Sequence, residues 1–132
     1  MAHWLLKSEP ASYGWADLVR DGGTEWDGVR NAAAALHLRA MSVGDEALIY
    51  HSGDEKAAVA IARIARAARP DGDDGRWVSV RVEPGAPLAR PVTLAAMRAE
   101  PALAGMAMLR QSRLSVSPVG DAEWATLLRM AG

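Results

Sequence analysis

Apolar residues occur in short runs and in alternating patterns that predict several β-strands. His3 to Leu6 and Ala47 to Tyr50 are apolar runs typical of buried strands. Arg76 to Glu83 carries a valine at every second position, and this is the clearest strand signal in the chain. Ala57 to Arg69 is rich in alanine, which favours helix, but its β-branched residues and the preceding Gly53-Asp54 turn favour a strand. We therefore predict a strand there.

Helical spacing of apolar residues predicts four short helices between these strands. Trp15, Leu18 and Val19 recur at the spacing of one helix face, and Gly22-Gly23 ends that helix. Leu109 to Val116 lacks this spacing and is predicted to be extended. The residues that begin or cap the four helices are Ser12, Asn31, Thr93 and Asp121.

About five strands and short helices in 132 residues predict a single domain with one substantial core. We assign the fold class as α+β and expect a small mixed β-barrel with flanking helices, formed by residues 1–132. No apolar run reaches the length of a membrane-spanning helix, and the start of the chain does not resemble a signal peptide. We therefore expect a cytoplasmic protein, and a monomer.

Composition restricts the chemistry more than the fold does. The chain has no cysteine, and its net charge is −1. A domain held on nucleic acid mainly by phosphate neutralisation is usually strongly basic, so any nucleic-acid binding should depend on a pocket. The sequence has none of the motifs of serine hydrolases, phosphate-binding loops or zinc proteases. We expect no catalysis, no cofactor and no metal.

Polar residues follow two of the predicted strands and are the first candidates for a binding site. Lys7, Ser8 and Glu9 come directly after the first strand, and Tyr50, His51 and Ser52 end another in the same way. Trp26 lies among polar residues where no periodicity requires a large aromatic side chain. Polar side chains at strand ends can point into the mouth of a small barrel.

A second group of candidates is basic. Arg110, Arg113 and Ser115 lie close together in the sequence, and with Arg30 and Arg39 they can form an edge that contacts phosphates. A solvated basic loop explains the same residues equally well.

Several segments together resemble the EVE domain family, in matching order and spacing over nearly the whole chain. They are Trp4 to Pro10, Trp26 to Asn31, Gly44-Asp45, Tyr50 to Ser52 and Arg113 to Val116.

The resemblance implies a PUA-like β-barrel related to YTH domains, and a non-catalytic reader of modified cytosine, 5-methylcytosine for example, in DNA. Trp26 would then be the aromatic wall of the pocket. Lys7, Arg30 and Arg113 would face the nucleic-acid backbone. Hydrogen bonds to the base edge would come from Ser8, Glu9, Asn31, Tyr50 and His51.

One segment departs from the family pattern. After Asn31 the family usually continues with tyrosine, glutamine and further polar residues, whereas this chain has four alanines and Leu36. Alternatives therefore stay open: a reader of RNA, an interaction module that binds RNA or protein through Arg110 and Arg113, or an enzyme. In the enzyme, Glu9 or His51 would act as general base on a nucleoside-like ligand.

Overall fold

A computed structural model describes residues 1–132 and contains one six-stranded sheet with short helices. The strands are β1 His3–Ser8, β2 Thr24–Trp26, β3 Glu46–His51, β4 Ala57–Pro70, β5 Val78–Thr93 and β6 Val116–Val119. The helices are α1 Pro10–Tyr13, α2 Trp15–Asp21, α3 Ala32–Ala40, α4 Leu94–Ala99, α5 Ala107–Arg110 and α6 Asp121–Met130, with a 3-10 turn at Pro101–Leu103. None of these helices is both long and apolar enough to cross a membrane.

The sheet has the strand order β2-β5-β4-β3-β1-β6. β1 and β3 are parallel, and every other neighbouring pair is antiparallel. The predicted α+β class is therefore confirmed. The predicted barrel is not confirmed, because β2 and β6 are the two edges of the hydrogen-bonded order and do not pair with each other.

The central strands β1 and β3 are buried on both faces, which explains why they read as unbroken apolar runs. Leu6 and Ile49 belong to a core cluster that also contains Leu18 of α2 and Leu38 of α3. Residues on the opposite face, such as Leu5, belong to a second cluster. That cluster also contains Leu48, Tyr50, Met97, Leu103, Trp124 and Leu127. Helices thus cover both faces of the sheet.

β4 and β5 form a long, irregular antiparallel hairpin. Its register shifts at several positions, as expected for bulges that bend a sheet. Pro84 and Pro87 lie in this irregular part of β5, where missing backbone donors are tolerated. A Cβ atom at Gly85 would lie 2.6 Å from the carbonyl oxygen of Ile61, so only glycine permits this approach of the two strands.

Asp45 fastens the start of the chain to the turn before β3. Its carboxylate is buried and accepts hydrogen bonds from the backbone N–H of Ala2 at 3.1 Å, the indole of Trp4 at 3.0 Å and the backbone N–H of Ser42 at 2.9 Å. Burial alone would raise the pKa of Asp45, but these donors hold it below its ordinary value. The ionised carboxylate therefore stabilises the fold.

Most predicted elements are present, including the strand from Ala57 that was assigned against local propensity. Three predictions were wrong. Ser12 does not cap a helix, because Glu9 caps α1 and α2 starts separately at Trp15. Trp26 ends a strand rather than lying in a loop. Residues 109–116 are not extended, because α5 occupies their start and only Val116 enters β6.

We expect Asp45→Asn to lower the free energy of unfolding at pH 7 by about 2–3 kcal/mol, because an amide offers one acceptor oxygen where three donors converge. Denaturant unfolding measures the loss, with exposed Asp54→Asn as the matched control. The wild-type carboxylate contributes at neutral pH and loses its effect as the pH falls through its lowered pKa. The difference between wild type and variant should therefore shrink in acid. A pH-independent difference would contradict this.

Candidate functional site

A cavity of about 440 Å³ opens where β1 ends beside β2. This volume lies within the range of small-molecule sites. Three elements form it: the end of β1 with the start of α1, strand β2, and the loop that follows β2. The lining residues are Lys7, Ser8, Glu9, Tyr13, Thr24, Glu25, Trp26, Asp27, Gly28, Val29, Arg30 and Ser115. We call this space the base cavity.

Strand β2 positions Trp26, the aromatic residue singled out from the sequence. Trp26 pairs with Val80 of β5, and its half-buried side chain packs against the core on the side of the sheet covered by α2 and α3. One part of the indole therefore supports the sheet while the other lines the base cavity. A flat base can stack on such a surface.

Asp71 holds the loop that follows Trp26. Its Oδ2 atom accepts hydrogen bonds from the backbone N–H of Gly28 at 2.9 Å and from Nη1 of Arg30 at 3.0 Å. Gly28 has a φ of +73°, which glycine adopts without strain. The hydrogen bond from Arg30, together with that from Gly28, lowers the pKa of Asp71. The loop is thus fixed by an ionised side chain that lies 43 positions after Gly28 in the sequence.

Arg30 is already engaged within the protein. It also donates to the carbonyl of Val29 at 3.1 Å, and its guanidinium lies 5.6 Å from the ring centre of Trp77. A cation at this distance is attracted to the face of the indole. Arg30 is therefore fixed at the rim of the base cavity, where the carboxylate of Asp71 partly balances its charge.

Glu25 is the most strongly perturbed acid of the site. Arg66 donates to both of its carboxylate oxygens, at 2.7 and 2.8 Å, and the hydroxyl of Ser79 donates at 3.0 Å. Hydrogen bonds from Arg66, opposed in part by burial, lower the pKa of Glu25 to about 2. This carboxylate stays ionised at neutral pH, and its acceptor positions are largely occupied.

The other two acidic residues of the base cavity accept fewer hydrogen bonds than Glu25 does. The carboxylate of Glu9 accepts only the backbone N–H of Ala11, at 3.3 Å, and the side chain of Asp27 has no hydrogen-bond partner in the protein. Both are exposed, so their remaining acceptor positions can meet a ligand. Carboxylates accept hydrogen bonds from the exocyclic amine of cytosine.

Lys7 and Ser8 complete the wall formed by β1. The ammonium of Lys7 donates to the carbonyl of Ser112 at 2.7 Å, and burial lowers the pKa of this group. The hydroxyl of Ser8 donates to the carbonyl of Tyr13. Its oxygen keeps acceptor capacity toward the cavity.

The structure therefore brings six of the thirteen predicted residues together in the base cavity and places seven elsewhere, of which three belong to the predicted basic edge. Lys7, Ser8, Glu9, Trp26, Arg30 and Ser115 line the base cavity. Asn31, Tyr50, His51 and Ser52 do not. The expected closeness of the two strand ends is present, because the N–H of Ser52 donates to the carbonyl of Ser8 at 2.9 Å.

His51 and Asn31 make contacts within the protein instead. His51 is buried; its Nε2 atom accepts from the N–H of Trp15 at 3.0 Å, and its Nδ1 atom lies 2.9 Å from Glu55. The ring thus fastens α2 to the end of β3. Asn31 caps α3, and its Oδ1 atom accepts from the N–H of Ala34 at 2.9 Å.

The predicted basic edge divides between two places. Arg110 and Arg113 line a separate cavity of about 350 Å³, together with Asn31 and Ala33. Arg39 lies outside all three cavities of the protein and donates to the carbonyl of Arg76 at 2.7 Å.

Sequence reasoning missed several residues of the site. Asp27 follows Trp26 directly, so its position next to a predicted site residue could have identified it. Tyr13 lies in a helical segment whose bounds were predicted wrongly, and Thr24 lies in strand β2, which was not predicted. Asp71 gave no signal, because its role depends on a contact between two loops that are far apart in the sequence. No cluster of histidine and acidic residues suitable for a metal ion is present.

We expect Asp71→Asn to loosen the loop without unfolding the protein, because it removes the negative charge opposite Arg30 and leaves a weaker acceptor for Gly28. Hydrogen–deuterium exchange at the Gly28 amide should become faster, while exchange in β1 and β3 stays unchanged. Asp73→Asn, on the same loop and without a hydrogen bond, is the control. Unchanged exchange at Gly28 would show that Asp71 does not hold the loop.

Comparison with known proteins identifies the family. The family model of the EVE domain matches residues 2–130. Human thymocyte nuclear protein 1 is 30% identical over 98% of this chain and 73% of that protein. The NMR structure of a Rhodopseudomonas palustris protein has a TM-score of 0.95 and 48% identity, covering 100% of this chain and 94% of that chain. The crystal structure of human THYN1 in complex with DNA containing 5-methylcytosine has a TM-score of 0.93 and 28% identity, covering 99% and 98%. These matches confirm the resemblance found in the sequence, and the chain belongs to the EVE domain family.

Proposed function

We propose that this protein is a non-catalytic reader that accepts a modified cytosine of DNA in the base cavity, beside Trp26. The observation that carries the proposal is the likeness over 99% of the chain to human THYN1, whose crystal structure contains 5-methylcytosine DNA. The base cavity supports it with an aromatic wall, two carboxylates with free acceptor positions and fixed positive charges at the rim.

The polar groups of the base cavity favour a base with an exocyclic amine. Glu9 and Asp27 offer only acceptors, which suit the amino group of cytosine and repel the carbonyl oxygen that thymine has in its place. One hydrogen bond to a charged acceptor contributes roughly 1.5–3 kcal/mol. Burial of a methyl group contributes only about 0.8 kcal/mol. Selection of cytosine over thymine should therefore exceed selection of the methylated over the unmethylated base.

Catalysis has less support. Of the two candidate general bases, His51 lies outside the base cavity with both ring nitrogens engaged, which leaves only Glu9 in the cavity. A reader needs only to hold the base, which Trp26 and the carboxylates can do. The cytoplasmic location and the monomeric state stay predictions, and the human relative has the word nuclear in its name.

The departure from the family pattern after Asn31 affects the surface rather than the base cavity. Ala32, Ala33 and Leu36 are exposed on α3, and none of them lines the base cavity. The alanines offer no hydrogen bonds to a nucleic acid. We therefore propose that recognition of the base is retained, while the contact area along the strand is smaller.

Single-stranded oligonucleotides test the preferred base without the energy needed to extract a base from a duplex. Identical strands should carry cytosine, 5-methylcytosine, 5-hydroxymethylcytosine or thymine at one position, and tryptophan fluorescence should follow binding. We expect 5-methylcytosine to bind roughly fourfold more tightly than cytosine, and more than tenfold more tightly than thymine. Equal affinity for thymine and 5-methylcytosine would overturn the role of the carboxylates.

Trp26→Ala should weaken binding of the 5-methylcytosine strand by roughly 5- to 150-fold, because stacking of a base on an aromatic ring contributes about 1–3 kcal/mol. Fluorescence anisotropy of a labelled strand measures this, and circular dichroism verifies the fold. Trp26→Phe keeps an aromatic face and should recover a large part of the affinity. If a folded Trp26→Ala variant bound the strand with normal affinity, the base would not bind in this cavity. The same assay with an RNA strand of equal sequence tests the alternative that RNA is the ligand.

A further inference from the structure

A smaller cavity of about 220 Å³ lies next to the base cavity, and Lys7 lines both of them. We call it the cationic cavity. The only two lysines of the chain, Lys7 and Lys56, both line it, together with Arg98. Its other residues are Tyr50, Ser52, Gly53, Leu94, Met108 and Ser112. No acidic residue is among them.

The positive charges of the cationic cavity are not neutralised within the protein. Lys56 and Arg98 have exposed side chains and form no ion pair or side-chain hydrogen bond, and Lys7 donates only to the carbonyl of Ser112. By contrast, the three arginines of β4 are paired with acids: Arg63 meets Glu83 at 3.1 Å, and Arg66 and Arg69 meet Glu25. The carboxylate of Glu9 lies against Gly53 at the edge of the cavity, so the three cations outnumber the acids there and form a local site for an anion in a protein of net charge −1.

The backbone holds these three residues in place before any ligand arrives. Lys56 has a φ of +48° and is the only residue other than glycine with a positive φ. Its carbonyl accepts the N–H of Leu94 at 2.8 Å, which fastens the turn before β4 to the start of α4, the helix that carries Arg98. Lys7 is fixed by Ser112 and lies 5.8 Å from the ring centre of Tyr50.

Tyr50 adds a neutral donor to the same space. Burial raises the pKa of its hydroxyl, although the charge of Arg98 lowers it in part, and the net change is upward. The hydroxyl therefore keeps its proton at neutral pH. Ammonium, guanidinium and hydroxyl groups are the side chains that commonly contact phosphate oxygens.

We propose that the cationic cavity binds a phosphate of the same nucleic-acid strand whose modified base enters the base cavity. The shared wall carries this inference: Lys7 lines both spaces, so one nucleotide and its neighbour can occupy them together. The inference rests on the proposed function, and it adds Lys56, Arg98 and Tyr50 as ligands of the strand. It also explains how a protein without a basic surface can hold DNA.

Salt dependence of binding tests the inference, because each phosphate contact adds about 0.7 to the slope of log affinity against log salt for a single strand. Lys56→Asn removes the charge while asparagine tolerates the positive φ. Arg98→Gln removes the second charge. Arg63 lines none of the three cavities, so Arg63→Gln, which also removes one positive charge, is the control. Strands with cytosine and with 5-methylcytosine should be titrated at several salt concentrations.

We expect Lys56→Asn and Arg98→Gln each to weaken binding of both strands by roughly 3- to 10-fold at low salt. Each variant should also reduce the slope of log affinity against log salt by about 0.7. The ratio of the affinities for the 5-methylcytosine and cytosine strands should stay unchanged. Arg63→Gln should change neither quantity. Unchanged slopes in both cavity variants, with methyl selectivity retained, would overturn this inference and leave the proposed function intact. Reduced slopes without any methyl selectivity would support the phosphate site and contradict the reader. Absence of DNA binding would overturn both.

Inorganic phosphate distinguishes a strand phosphate from a free one. In ¹⁵N–¹H NMR spectra, the amides of Gly53 and Lys56 should shift with the oligonucleotide at concentrations where inorganic phosphate leaves them unchanged. Saturable shifts with phosphate alone, together with unchanged slopes in the two variants, would assign the cavity to a free anion and overturn the strand assignment.

Discussion

The parallel pairing of β1 with β3 is the constraint on which the rest of the structure depends. It sets Lys7 opposite Tyr50 and Ser8 opposite His51, so two strands that are far apart in the sequence end at the same edge of the sheet. Side chains alternate between the faces of a strand. Lys7 and Tyr50 therefore face the cationic cavity, whereas Ser8 and His51 face the side on which α1 and α2 lie. The register of β1 with β3 thus places the base cavity and the cationic cavity side by side, with different side chains in each.

Hydrogen bonds then decide which polar groups near the strand ends are available to a ligand. Glu25, Asp71, His51 and Asn31 all have chemistry suited to binding, but each is engaged in holding a strand, a loop or a helix. Buried polar groups need such partners, and removing the partner costs free energy. Because these groups form hydrogen bonds within the protein, only a few acceptors and cations near the strand ends are free to bind a ligand. The free carboxylates lie near Trp26, two free cations lie in the cationic cavity, and two further cations, Arg110 and Arg113, line the separate cavity beside Asn31.

The sequence predicts well what depends on local pattern. Alternating valines identified β5, apolar runs identified β1 and β3, and β-branched residues outweighed alanine in β4. It predicts poorly what depends on contacts across the fold. β2 has only three residues and exists because it pairs with the regular part of β5, so no local signal marks it. The cap formed by Asn31 was predicted from the sequence and is present, whereas the contact of His51 with Trp15 became visible only when its partner was placed. Residue type indicated binding chemistry, and the partners determined whether that chemistry was free.

The protein has a low net charge, but charged side chains are concentrated in the two cavities. Phosphate contacts supply most of the affinity of DNA-binding proteins but carry no direct information on sequence, and base contacts supply the selectivity. A protein covered with cations would bind any strand, whereas two lysines and one arginine in a single cavity can retain only a strand that follows a defined path. The exposed carboxylate of Asp27 repels the negative charge of phosphates, which favours the proposed place of the phosphate in the cationic cavity over a place in the base cavity. In the proposed mode of binding, this charge would orient a nucleotide with its base beside Trp26 and its phosphate near Lys56 and Arg98.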